Sequence, residues 1–188
     1  MKSILISIQP KWCELIASGK KTIEVRKTRP KIETPFKCYI YMTATKERCM
    51  FWEYITAYQN SNGDILDGSQ KVIGEFVCHK VTCIQAYYGN SGEKHLTNLF
   101  GIDIKNTCLS LYEIFDYIIG DKKDGTGWLY HITDLKIYDK PKELDMFRNP
   151  CSFSCKECGN GKGDCGTCGE LNIITRAPQS WCYVEELQ

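Results

Sequence analysis

Apolar and polar residues alternate in several stretches of this chain, and short helical periods lie between them. Ser3–Ile8 places Ile4, Ile6 and Ile8 on one face of a strand. Pro10 suits a first helical turn, Trp12, Leu15 and Ile16 repeat at helical spacing, and Ser18-Gly19 is the stop. The period then returns to two. Ile23 and Val25 face one side, and Thr22, Glu24 and Arg26 the other. Pro30 and Pro35 bracket a loop, and Lys37–Ala44 alternates again. The stretch 45–70 has no clear period. Phe51, Trp52, Tyr54 and Tyr58 suggest a short helix there, and Asn62-Gly63 is a turn signal, so we expect an inserted hairpin or flap.

Lys71–Ile84 is predicted as a long strand with a bulge at Gly74. Ser110 and Glu113 form a capping box ahead of a helix over Leu111–Ile119, with Leu111, Ile114, Phe115 and Ile118 as its apolar face. A turn over 120–127, a strand over Trp128–Asp139, a short helix over Pro141–Phe147 and a last strand over Trp181–Leu187 complete the chain. Short strands interleaved with a few helices fit a mixed barrel of the α+β class, not a parallel βαβ series.

The junction of the first helix with the second strand reads Gly19-Lys20-Lys21-Thr22-Ile23-Glu24-Val25-Arg26. A helix that ends on Gly and feeds a strand with Glu24 and Arg26 on one face makes a polar shelf over which Lys21 can lean. Gly19, Lys21, Glu24 and Arg26 match a G-x-K-x-x-E-x-R pattern that resembles the signature of ASCH domains, a branch of the PUA-like superfamily. The opening Ile4–Trp12, the stretch Val72–Phe76 and the segments Trp128–Lys142 and Arg176–Leu187 extend the likeness toward phage and prophage members. The resemblance implies a PUA-like mixed β-barrel with flanking short helices. It covers most of a single domain spanning 1–188, apart from the flap at 45–70 and a cysteine-rich insertion at 149–170.

Net charge is +1, but it is unevenly placed. Residues 1–48 hold 11 Lys and Arg against 4 Asp and Glu, a balance of +7; the rest hold 13 against 19, a balance of −6. A basic face around Lys20, Lys21, Arg26, Lys27, Arg29, Lys31 and Lys37 would suit phosphate contacts, or else it is a solvated strand edge. No apolar run is long enough to span a bilayer and no signal peptide is visible, so a cytoplasmic protein without a membrane partner is expected.

Of 12 cysteines, Cys13, Cys38, Cys49, Cys78, Cys83, Cys108 and Cys182 are scattered, mostly in apolar segments, and are expected to pack as reduced thiols. The others cluster. Cys155-x2-Cys158 and Cys165-x2-Cys168 are each followed by Gly, as in two zinc knuckles, and four thiolates complete a tetrahedral structural zinc site. Cys151 is a spare or substitute ligand, and redox pairs or an iron–sulfur centre are the alternatives.

Three functions are expected, the first two of them implied by the resemblance to ASCH domains. The first is binding of RNA or a modified nucleoside or nucleotide in a cleft built from Gly19, Lys20, Lys21, Glu24 and Arg26, with Trp128 as a stacking surface and Trp181 on another candidate closing strand. The second is hydrolysis of RNA or of an N4-acylcytidine by Lys21 and Glu24 in the same cleft. Amidohydrolase members of the family carry Thr where this chain has Glu24, and Thr22 is a different position. The third is a protein–protein adaptor that uses the zinc knuckle and the flap. Glu75 is a further carboxylate candidate, while His79, His95 and His131 are isolated in sequence.

Overall fold

The alternating stretches pair into one sheet that curls around an apolar interior. The computed structural model describes residues 2–44, 56–150 and 172–187. Strand β1 (Lys2–Ile8) leads into helix α1 (Pro10–Ala17), then β2 (Ile23–Arg26) and β3 (Phe36–Met42). A hairpin of β4 (Ala57–Gln59) and β5 (Ile65–Asp67) follows, then the long β6 (Val72–Tyr88) and β7 (Lys94–Thr97). Helix α2 (Leu111–Ile119), the long β8 (Asp124–Lys142) and β9 (Trp181–Glu185) close the order. The main sheet runs β2-β8-β6-β3-β1-β9, with β7 alongside β6. β1 pairs parallel with β3, and the other ladders are antiparallel.

The expected closed barrel is not formed among the described residues. β1 lies between β3 and β9, so neither of its edges is free to take β2. The two ends of the curled sheet are instead stitched by side chains. Trp181 Nε1 donates to Thr28 Oγ1 at 2.9 Å, the Lys31 amide donates to the Tyr183 hydroxyl at 2.7 Å, and Arg26 reaches the Ser7 carbonyl at 2.7 Å. The last of these links stands beside the candidate site.

Burial explains why several expectations shifted. β1 is buried along Ser3–Ile8 and not only at alternate positions, because apolar clusters cover both of its faces. Ile4, Ile6 and Ile8 meet Cys38, Ile40, Phe76 and Tyr130 inside the curl, while Leu5 meets Tyr39, Phe147 and Val184 outside. A second cluster places Ile114, Phe115 and Ile118 of α2 on Val25, Ile84 and Leu129. The Ser110–Glu113 capping box is present and α2 has its expected span, but Leu111 is 48% exposed and Ile119 takes its place in the core.

Gly74 does sit at a register shift. A Cβ there would lie 2.5 Å from the Lys136 carbonyl, so β8 can approach only a glycine. Tyr58 belongs to β4 and is buried in the core, not on a helix, and Pro141–Phe147 forms only a 3-10 turn over Leu144–Met146. Cys13, Cys38 and Cys78 are buried free thiols, and Cys83, Cys108 and Cys182 are partly buried ones. Phe51, Trp52, Tyr54, Cys49 and the whole cluster Cys151, Cys155, Cys158, Cys165 and Cys168 lie outside the described residues. Among the described residues no group of side chains could hold a metal ion, and no helix is long and apolar enough to cross a membrane.

Candidate functional site

The end of α1 turns the shelf inward. The Ser18 amide bonds back to the Glu14 carbonyl and the Gly19 amide to Ile16, each at 2.9 Å. Gly19 adopts φ +72°, a left-handed conformation that glycine takes without steric penalty. The Lys21 amide then caps the Leu15 carbonyl at 2.9 Å, so the helix stop itself aims the lysine into the protein.

Lys21 is only 1% exposed. Its ammonium donates to the Thr107 carbonyl at 2.6 Å and the Ile23 carbonyl at 2.9 Å, and it lies 3.3 Å from Glu24 Oε2. An ammonium has three donors, and here each faces an acceptor. The indole of Trp12 adds a cation–π contact at 5.2 Å. Glu24, 6% exposed, takes Arg26 Nη2 on its other oxygen at 2.9 Å. Arg26, 7% exposed, uses the same Nη2 to reach the Ser7 carbonyl, and its buried Nε has no acceptor. Lys21, Glu24 and Arg26 thus form one buried chain of charges, and backbone from other parts of the fold holds its two cations.

The turn that receives Lys21 was not foreseen. Ile104–Thr107 is a 3-10 turn capped by Asp103, whose carboxylate accepts from the Lys105 amide at 3.0 Å. The Asn106 carbonyl accepts from the Thr22 amide at 2.9 Å, and Cys108 Sγ lies 3.4 Å from the Lys20 carbonyl. The one local signal was Asp103, a capping residue ahead of a short turn.

The charged chain forms one side of a cavity of about 440 Å³. Trp12 from α1 and Tyr117 from α2 supply aromatic walls. Gln9, Thr43 and Gln179 add polar groups, and Glu113 stands on the α2 side. Two exposed cations lie close to these walls. Lys11 sits over Trp12 at 4.5 Å and Lys27 over Tyr117 at 5.2 Å. Cys13 packs beneath the site, donates to the Ile8 carbonyl and is fully buried. Burial first, and the Glu24 charge second, push its thiol well above the ordinary range, so it is no nucleophile.

The structure therefore brings Lys21, Glu24 and Arg26 together and leaves other candidates elsewhere. Gly19 and Lys20 are exposed at the turn and do not line the cavity. Trp128 is partly buried and pairs across the ladder with Arg26. Arg29 stacks on its ring at 5.2 Å, and it is not part of the cavity wall. Glu75 accepts from the Tyr138 hydroxyl and pairs with Lys37, away from the cavity. His79 meets Asp134, His95 meets Glu93, and His131 meets Thr82. The expected basic face is reduced. Lys21 and Arg26 are buried and Lys37 is paired with Glu186 at 2.8 Å, leaving Lys20, Lys27, Arg29 and Lys31 exposed.

Comparison with known proteins agrees with the fold. The family model described as "ASCH domain" matches residues 6–96. The crystal structure of ASCH from Zymomonas mobilis superimposes with a TM-score of 0.54 at 18% identity, covering 98% of this chain and 88% of that one. A Tyr-to-Phe variant of that protein gives 0.55 at 17% identity, covering 99% and 92%. A Ser-to-Ala variant gives 0.53 at 17%, covering 98% and 89%. No match is found among the curated proteins.

Proposed function

We propose that the cavity binds one nucleotide of RNA or a modified nucleotide, a reading supported by the match of residues 6–96 to the ASCH domain model, a PUA-like fold associated with RNA binding. The observation that carries this is a single cavity with a buried Lys21–Glu24–Arg26 chain on one side and the rings of Trp12 and Tyr117 on others. Its volume of about 440 Å³ falls within the range of small-ligand sites. An aromatic wall offers a stacking surface worth about 1–3 kcal/mol per base. Glu24 retains lone pairs for an amine donor after meeting its two cations. Lys11 and Lys27 provide positive charge where a phosphodiester would leave the cavity.

Binding is favoured over hydrolysis by the state of Lys21. A lysine that acts as base must be free of its proton, yet this ammonium has an acceptor for every donor and serves as a pin between Thr107, Ile23 and Glu24. The adaptor function is disfavoured by Tyr58, which ties the hairpin into the core and leaves less of it free for a partner. A structural zinc on Cys155, Cys158, Cys165 and Cys168 belongs to the same proposal, carried by the spacing of two Gly-followed CxxC pairs, and elemental analysis of the purified protein tests it.

The decisive experiment measures binding of short single-stranded RNA and modified nucleotides at two salt concentrations. Trp12→Ala is expected to weaken binding by roughly tenfold or more, as loss of one stacked base implies, whereas Trp128→Ala leaves it within about twofold. Equal loss in both variants, or salt-independent binding, would overturn the proposal.

A further inference from the structure

We infer that the Arg26 side of the cavity takes a phosphate group, so that the ligand is a nucleoside monophosphate or a phosphorylated RNA end and not a neutral nucleoside. The inference rests on the nucleotide proposal above and is drawn from the buried charge balance. Lys21 and Arg26 are two cations, and among the described residues Glu24 is the one carboxylate buried with them. One positive charge is left over. Lys21 has three acceptors and each Glu24 oxygen faces a cation, so the surplus falls on the guanidinium. Arg26 Nε is also the donor without an acceptor, and Nη1 makes no hydrogen bond among the described residues. An unmet N–H and an uncompensated charge thus coincide on one buried group. Each is unfavourable by itself.

Glu113, the other carboxylate on the cavity wall, does not supply the missing charge. It is exposed, and its Oε2 is tied to the Ser110 amide at 2.7 Å and hydroxyl at 2.8 Å to cap α2. A base carbonyl could satisfy the Nε donor but would leave the charge. A phosphate supplies the missing negative charge, and the planar fork of arginine matches its oxygens. Lys27, on the Tyr117 wall, adds to the same positive potential.

The test compares, by calorimetry on the full chain, inorganic phosphate, a nucleoside, its 5′-monophosphate, and one RNA trinucleotide with and without a 5′-phosphate. The monophosphate is expected to bind at least about tenfold tighter than the nucleoside, in line with one charge-assisted hydrogen bond. Inorganic phosphate should compete with it. Arg26→Lys keeps a charge but removes the fork and Nε, and should abolish most of that gain. Should this variant fail to fold, the Arg26 Nε–H resonance of the unaltered protein provides a second readout, which phosphate titration should shift. A trinucleotide whose 5′-phosphate improves binding beyond the mononucleotide assigns an RNA end; no such improvement assigns a free nucleotide. Equal affinity for nucleoside and monophosphate, with an unmoved Nε resonance, would overturn the inference and leave the nucleotide cavity standing. Binding of inorganic phosphate at Arg26 with no binding of any nucleoside, nucleotide or RNA would keep the anion site and overturn the nucleotide proposal.

Discussion

Glu24→Gln isolates the charge that holds the site together. The side chain keeps its shape and loses one negative charge between two buried cations. At an effective dielectric constant of about 20, the separations of 3.3 Å to Lys21 and 2.9 Å to Arg26 correspond to gross attractions of about 5 and 6 kcal/mol. Desolvation offsets much of this in the intact cluster. In the variant it does not, because both cations remain buried without a counter-charge. Removing one partner of a buried pair is destabilising by about 3–5 kcal/mol. For a chain of 188 residues that corresponds to a fall in melting temperature of roughly 6–20 °C. Urea denaturation followed by far-ultraviolet circular dichroism measures it directly. The triple replacement Lys21→Met, Glu24→Leu, Arg26→Met should be less destabilised than Glu24→Gln alone, because it removes the stranded charges together. A Glu24→Gln protein within about 0.5 kcal/mol of the parent would refute the reasoning, since it would mean that water already screens the cluster.

Three further predictions test how the scaffold presents the site. Ser110→Ala should destabilise the protein by about 1 kcal/mol through loss of the α2 N-cap. Bonds from the Ser110 amide and then its hydroxyl hold the Glu113 carboxyl below its ordinary range, so an NMR titration of Glu113 should move upward in that variant. Gly74→Ala places a Cβ 2.5 Å from the Lys136 carbonyl and should destabilise by about 1–3 kcal/mol in urea unfolding through steric overlap, whereas Gly92→Ala, where a Cβ meets nothing, should cost only about 1 kcal/mol, from its left-handed φ. Burial, then the charge of Lys80, lowers the pKa of His131 below its ordinary value near 6.5. The unfolded chain takes this proton first as pH falls, so stability declines below about pH 6.5 and levels off under the folded-state pKa. His131→Gln should flatten that part of the pH–stability profile.

Local signals carried the elements that depend on near neighbours. Ser110 and Glu113 fix the start of α2 because a capping box is a bond between residues three apart. Gly19 was legible as a helix stop for the same reason, and with it the placement of Lys21, Glu24 and Arg26 on one shelf. Leu111 was misplaced because helical period gives a face and not the neighbour that covers it.

The sequence by itself determined the secondary-structure order near the motif, the choice of three charged residues and the likeness to ASCH domains. Only the tertiary structure decided what those residues meet. Thr107 reaches Lys21 across 86 positions, and Gln179 and Ser7 line the same cavity although the two stand near opposite ends of the chain. The same long-range packing chose Trp12 over Trp128 as the aromatic wall, and it turned the expected open basic shelf into a buried charge cluster with one unmet donor. Periodicity reports which side of a strand faces inward. Whether a charge there meets water, a carbonyl or an empty cavity depends on chain segments that no local pattern brings together.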